Sequence, residues 1–344
     1  MRSTNDISRR HVLSLAGAAG GLAFTGGLQA AYAQSPKKIE QLDPALANLI
    51  DTAQPIQELA TGFGGDLGPA EGPLWWKEGG YLLFNDIHRS RRMKYTPGPG
   101  GAKGVVTVDH EPTNQANGLT RDIAGRLISC EHETRRVTRR ELDGSLTVIA
   151  NSFQGKRLNR PNDVIVKSDG CYYFTDPGAF AVPNQWDLQY SGVYRVTPDL
   201  GTMSLLVDTY IVPNGLAFSP DESVLYINDS RRGHIKAYDM QPNGMLARAS
   251  ERVFADLTGP EPGVPDGMKV DVAGNVYCGG AGGVWIMDSK GKKLGRIVHG
   301  QPATTNIGFG GADWKTLYFV SRSTLFSVNL KVAGIPVPVA GKRS

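Results

Sequence analysis

Short apolar runs recur along the chain, and six of them follow a polar side chain: Glu71 before GPLWW, Asn117 before GLT, Asn162 before DVIV, Asn214 before GLAF, Asp266 before GMKV and Asn306 before IGFG. Each run is too short for a helix and lies between glycine, proline and acidic residues, which is the pattern of a strand. The intervals between the six polar residues are 46, 45, 52, 52 and 40, close to the length of a four-stranded blade. An all-β, six-bladed β-propeller is the simplest closure. A second strand is expected after each turn, at residues 81–86, 126–131, 171–176, 224–229, 275–279 and 316–321; the turns DIAG at 122, KSDG at 167, SPDE at 219 and DVAG at 271 have hairpin chemistry. Residues 56–63 alternate like a strand and are assigned to the outer edge of the last blade, beside 318–330, so that both ends of the chain lock the ring. Residues 36–51 read as a short helix outside the ring, with Asp43 as N-cap, Pro44 as the first helical residue and Leu46, Leu49 and Ile50 on one face.

The first strand of a propeller blade lines the central channel, so residues at equivalent positions converge on one axial volume. Two carboxylates and four carboxamides, with no lysine or cysteine among them, make an oxygen-rich pocket suited to a hard divalent cation. NG, ND and DG are also common turn dipeptides, and at any single position that plainer reading stands beside the metal site. Asp86, Asp176 and Asp229 recur 15, 14 and 15 residues after the leading residue of their blade, with Glu131 and His132 at 14 and 15 in the second. The three aspartates are read as partners of neighbouring backbone. His132 stands where a proton shuttle at the channel mouth would sit, and a catalytic and a structural role are both open to it.

The N-terminal SRRHVL, a glycine-broken apolar stretch and the AYA ending at Ala33 predict a twin-arginine signal peptide at 1–33. The run falls short of the ~20 apolar residues of a membrane span, so a soluble periplasmic or secreted protein handled by the twin-arginine export machinery is expected, without stable membrane association. Residues 34–55 would be an extension and 56–344 the propeller. Loss of Arg2, Arg9, Arg10 and Asp6 leaves 34 basic and 32 acidic residues, a formal charge of +2, which gives no electrostatic basis for nucleic-acid binding. Cys130, Cys171 and Cys278 allow at most one intrachain disulfide, and their spacing matches no metal finger.

The series EGPLWW, NGL with DIAGRLISCEH, RPNDV with YFTDP, PNGLAFSPD with LYIND, and PDGMKVD with GNVY resembles the gluconolactonase and senescence-marker-protein (regucalcin-like) family over roughly residues 56–330. The resemblance implies one catalytic divalent cation, calcium first with zinc, magnesium or manganese as alternatives, held by Glu71, Asn162, Asn214 and Asp266. It further implies substrate contacts from Asn117 and Arg160, with a solvated surface role the alternative for Arg160. Asp163 is expected to orient Asn162, and Asp266 to serve as general base, with His132 the second catalytic candidate. The implied reaction is hydrolysis of a sugar lactone or other cyclic ester by a metal-polarised carbonyl and an activated water. A phosphotriesterase or arylesterase, or a propeller that only binds a ligand, would use the same scaffold. No GxSxG elbow supports a serine nucleophile. Residues 178–190, with Phe180, Trp186 and Tyr190, are expected to cover the channel and set substrate choice.

Overall fold

Every strand of the repeat pairs antiparallel with its neighbour in sequence, because the connecting turns are too short for any crossover. The computed structural model describes residues 36–178 and 186–341; the segment expected to be a signal peptide, its expected cleavage site and Phe180 lie outside them. Six blades stand around a central axis, led by Ala70–Trp76, Ala116–Arg121, Val164–Val166, Pro213–Phe218, Met268–Val270 and Asn306–Gly310. The second strands are Tyr81–Asp86, Leu127–Glu131, Tyr172–Asp176, Val224–Asp229, Val276–Gly280 and Thr316–Ser321, within one residue of the expected bounds at every end.

Ring closure follows the expected route. Gln57–Thr61 pairs antiparallel with Thr324–Asn329 as the outermost strand of the sixth blade, so one blade is built from both ends of the chain. The N-terminal extension differs from expectation in part. Lys38–Gln41 is a strand, adding a fifth member to the fifth blade against Lys293–Val298. The helix shrinks to a 3₁₀ turn, Pro44–Asn48, whose cap is as expected: Asp43 accepts from the Ala45 N–H at 2.8 Å. A single turn suffices to bury Leu46, Leu49 and Ile50 on the outer flank, and tertiary packing rather than helix length decides the outcome.

The hydrophobic layers lie between blades. Ile128, Cys130 and Val137 of the second blade face Val164, Tyr172, Phe174 and Tyr194 of the third; Tyr173 and Val193 face Leu216, Phe218 and Leu225 across the next interface. Each blade therefore holds its neighbour in angular register, which fixes what reaches the axis. All three cysteines are buried and unpaired, small apolar members of these layers.

Candidate axial site

The glycine that follows Glu71, Asn117, Asn214 and Asp266 separates the two readings of the NG and DG dipeptides. Gly118 and Gly215 sit inside strands, not turns. A Cβ on Gly215 would stand 2.3 Å from the Asp266 carbonyl oxygen, and one on Gly72 2.3 Å from that of Asn117. The glycines are required because each leading strand presses against the leading residue of the next blade. In three blades the ladder slips at this point, between Glu71 and Leu74, Ala116 and Leu119, and Pro213 and Leu216. Such bulges turn a side chain away from the pleat, here into the channel. The third blade carries Asp163 in place of glycine, and so delivers an extra carboxylate.

Glu71, Asp163 and Asp266 share one electrostatic environment. Burial, opposed by the adjacent Asn306 carboxamide and reinforced by the Asp163 charge, pushes Glu71 up to about 8. Asp266 is raised well above the ordinary carboxylate range by burial and by Glu71 and Asp163, and Asp163 is itself raised by burial. Lys269 and Asn306 act against the rise at Glu71 and Asp163, and Asn214 acts against it at Asp266. Asp266 keeps partial exposure as a residue, although its Oδ1 atom is fully buried. Asp163 does not orient Asn162. Its Oδ1 accepts from the Val164 N–H at 3.0 Å, and its side chain lies beside Asn306 and Lys269.

Buried oxygens without a donor mark the pocket. Among the described residues, Asn117 Oδ1, Asn162 Oδ1, Asn214 Oδ1, Asp163 Oδ2 and Asp266 Oδ1 have no hydrogen-bond partner, whereas buried polar atoms are normally satisfied. Among the described residues, no three histidine, cysteine or acidic side chains form a metal-binding group by themselves. A cation would therefore need the amide oxygens. An all-oxygen set of mixed carboxylates and amides fits a hard divalent ion, and it would supply the positive charge that the crowded carboxylates lack.

On one side of this pocket lie Asn117, His132 and Arg160. Asn117 Nδ2 donates to His132 Nε2 at 3.3 Å, which assigns the remaining imidazole proton to Nδ1. Burial and the nearby Arg160 guanidinium push His132 down to about 3, so the ring is neutral. Arg160 is half-buried rather than solvated and donates to Gln115 Oε1 at 3.2 Å. Of the covering segment, Trp186 packs over Gly178, Asp187 pairs with Arg135 at 2.5 Å, and the Tyr190 carbonyl accepts from Asn159 Nδ2 at 2.9 Å.

A set of positioning residues escaped the sequence reading. Asn85 Nδ2 donates to the Asn117 carbonyl at 2.6 Å, Thr175 Oγ1 to that of Asn214 at 2.8 Å, and Asn228 Nδ2 to that of Asp266 at 2.5 Å. All three are fully buried. Each closes the second strand of one blade and fixes the leading residue of the next. The signal was present in ND, TD and ND before Ile87, Pro177 and Ser230, where only the aspartate drew notice. Those aspartates do bond backbone: Asp86 accepts from Gly64, Asp176 from Asn159, and Asp229 from Ile211 and Val212.

A profile of the SMP-30/gluconolactonase/LRE-like region matches residues 69–323, from the first blade into the sixth. The chain belongs to this family. Gluconolactonase of Zymomonas mobilis is 30% identical over 365 residues, spanning 96% of this chain and 100% of that one. A solved gluconolactonase from Xanthomonas campestris is 31% identical with a TM-score of 0.73, covering 86% of this chain and 98% of its own. Regucalcin from Agrobacterium tumefaciens, described as calcium-binding, shares the fold at 21% identity and a TM-score of 0.65, over 83% of this chain and 100% of that one.

Proposed function

We propose that this protein hydrolyses a lactone, with one divalent cation at the axis, calcium before zinc, magnesium or manganese. The observation that carries the reading is the group of donorless buried oxygens around Glu71, Asp163 and Asp266; the gluconolactonase relatives supply the substrate class. Glu71, Asn162, Asn214 and Asp266 would hold the ion. Bound there, it would act as a Lewis acid toward a lactone carbonyl.

The chain's own residues have distinct tasks. Asp266, ionised, takes the proton of the attacking water as general base, and the protonated carboxyl can return it to the departing ring oxygen. Glu71 contributes charge and no proton transfer. Asn117 presents a donorless Oδ1 while its amide nitrogen is held by His132, so a substrate hydroxyl meets a fixed acceptor. Arg160 attracts the carboxylate that develops in the product. His132, being neutral, orients Asn117 and carries no charge. We further propose that residues 1–33 direct twin-arginine export, giving a periplasmic or secreted enzyme.

The test is a pH-stat panel on gluconolactone, other aldonolactones, an aromatic lactone and a fluorophosphonate. Turnover confined to lactones supports this reading. Preference for the fluorophosphonate would move the assignment to a phosphotriesterase, and no turnover above the spontaneous rate on any substrate would leave a binding propeller.

A further inference from the structure

A sizeable cavity among the described residues lies away from the axial site. It has a volume of about 680 Å³ and lies at the opposite end of the channel. Its walls come from all six leading strands, at positions two to four residues beyond the polar ring, among them Trp75, Leu119, Val164, Phe218 and Phe309. At about 3.3 Å per residue this places it roughly 7–13 Å further along the strands. Residues 335–341 complete its lining. The Ile335 N–H bonds the Val270 carbonyl at 3.2 Å, and Val337 packs beside the cluster of Leu74, Leu83, Leu119 and Leu127.

Among the described residues, three of the four charged groups of this wall are held in ion pairs or side-chain hydrogen bonds, and Lys269 forms no ion pair although it feels the charges of Glu71 and Asp163. Arg121 is paired with Glu78 at 2.8 Å and lies 4.0 Å over Trp76. Asp221 accepts from Ser219 and Ser223, and Glu222 from Ser168 and Lys167. Lys269 donates a single hydrogen bond, to the neighbouring Met268 carbonyl at 3.0 Å. An ammonium has three donors, so Lys269 retains capacity in a wall that is otherwise largely apolar. The volume falls in the range of small-molecule sites, which combine apolar walls with few polar groups.

We propose that this end of the channel is a second ligand site, which takes a small amphipathic monocarboxylate with its tail against the apolar wall and its headgroup on Lys269. A single wall cation with open donor capacity selects one negative charge; the surrounding surface selects an aliphatic or aromatic body over a sugar acid. The site shares none of the six leading residues of the polar ring; Lys269 also lies within the field of Glu71 and Asp163, and titration with and without calcium separates carboxylate binding from the reaction assigned there.

The experiment is calorimetric titration of the full mature chain with sodium octanoate, with calcium present and again after chelation, beside octanol and hexanoate. Saturable binding is expected in both conditions. Octanol should bind about tenfold more weakly for want of the charge, and hexanoate about an order of magnitude more weakly, since each methylene contributes about fourfold. Lys269→Gln should remove the preference for octanoate over octanol, and Lys269→Arg should keep it. The chain-length series on the unmodified protein remains decisive if either variant misfolds. No saturable binding up to about 10 mM, binding that vanishes on chelation, or equal affinity for octanoate and octanol would each overturn the proposal.

Discussion

Adding calcium to the cation-free protein should expel protons. Glu71, held at about 8, is about nine-tenths protonated at pH 7 by the ordinary titration relation. Asp266 is also raised, by burial and by its two acidic neighbours. One cation taking the place of the Glu71 proton releases about one proton at neutral pH. Its affinity should climb nearly tenfold per pH unit between about pH 6 and pH 7 and flatten toward about pH 8. The sign is fixed by the direction of the shift. Between its ordinary value of 4.5 and about 8, the folded cation-free chain binds a proton that the unfolded chain has lost. Its stability therefore falls as pH rises through that window, and cation binding opposes the fall. Calorimetry in two buffers of different ionisation enthalpy measures the proton count directly. Glu71→Gln should lower it by about one. Identical heats in the two buffers, or an affinity flat from about pH 6 to pH 8, would refute this reasoning.

Thr175→Val removes the hydroxyl that fixes the Asn214 carbonyl while nearly conserving shape; cation affinity should fall about tenfold, read by titration, with an unchanged circular dichroism spectrum. Asp229→Ala leaves the buried Val212 N–H and the part-buried Ile211 N–H without their acceptor and should cost about 2 kcal/mol in denaturant unfolding. His132 is neutral throughout the working range, so His132→Gln should lower lactone kcat/KM without changing its profile between about pH 5 and pH 8. An inflection lost in that variant would show that the ring titrates during turnover.

The repeat was legible because its signal is repeated. Six polar residues in register, each followed by a strand run, gave blade number, strand positions and the closing strand 57–61. A single short segment carries no such redundancy. Lys38–Gln41 is only KIEQ, and its strand character comes from the free edge of the fifth blade rather than from its own pattern. The same holds at the axis. Leading residues could be named, but the meaning of Gly72, Gly118 and Gly215 emerges only when adjacent blades are seen to touch. Asn306 was counted among the six and given no task; the fold sets it beside Glu71 and Asp163. Asn85, Thr175 and Asn228 act across blade boundaries, over 32, 39 and 38 residues, a distance at which local pattern says nothing. The cavity that residues 335–341 help to line is likewise a product of ring closure, since no single strand encodes it.

The account turns on whether the axial oxygens hold an ion that turnover requires. Gluconolactone hydrolysis by the mature chain, followed by pH-stat before chelation, after chelation and after restoring calcium, examines this most directly. Turnover should fall to the spontaneous rate with chelator and return with calcium, and Asp266→Asn should not recover. Undiminished hydrolysis after complete removal of divalent ions would contradict it.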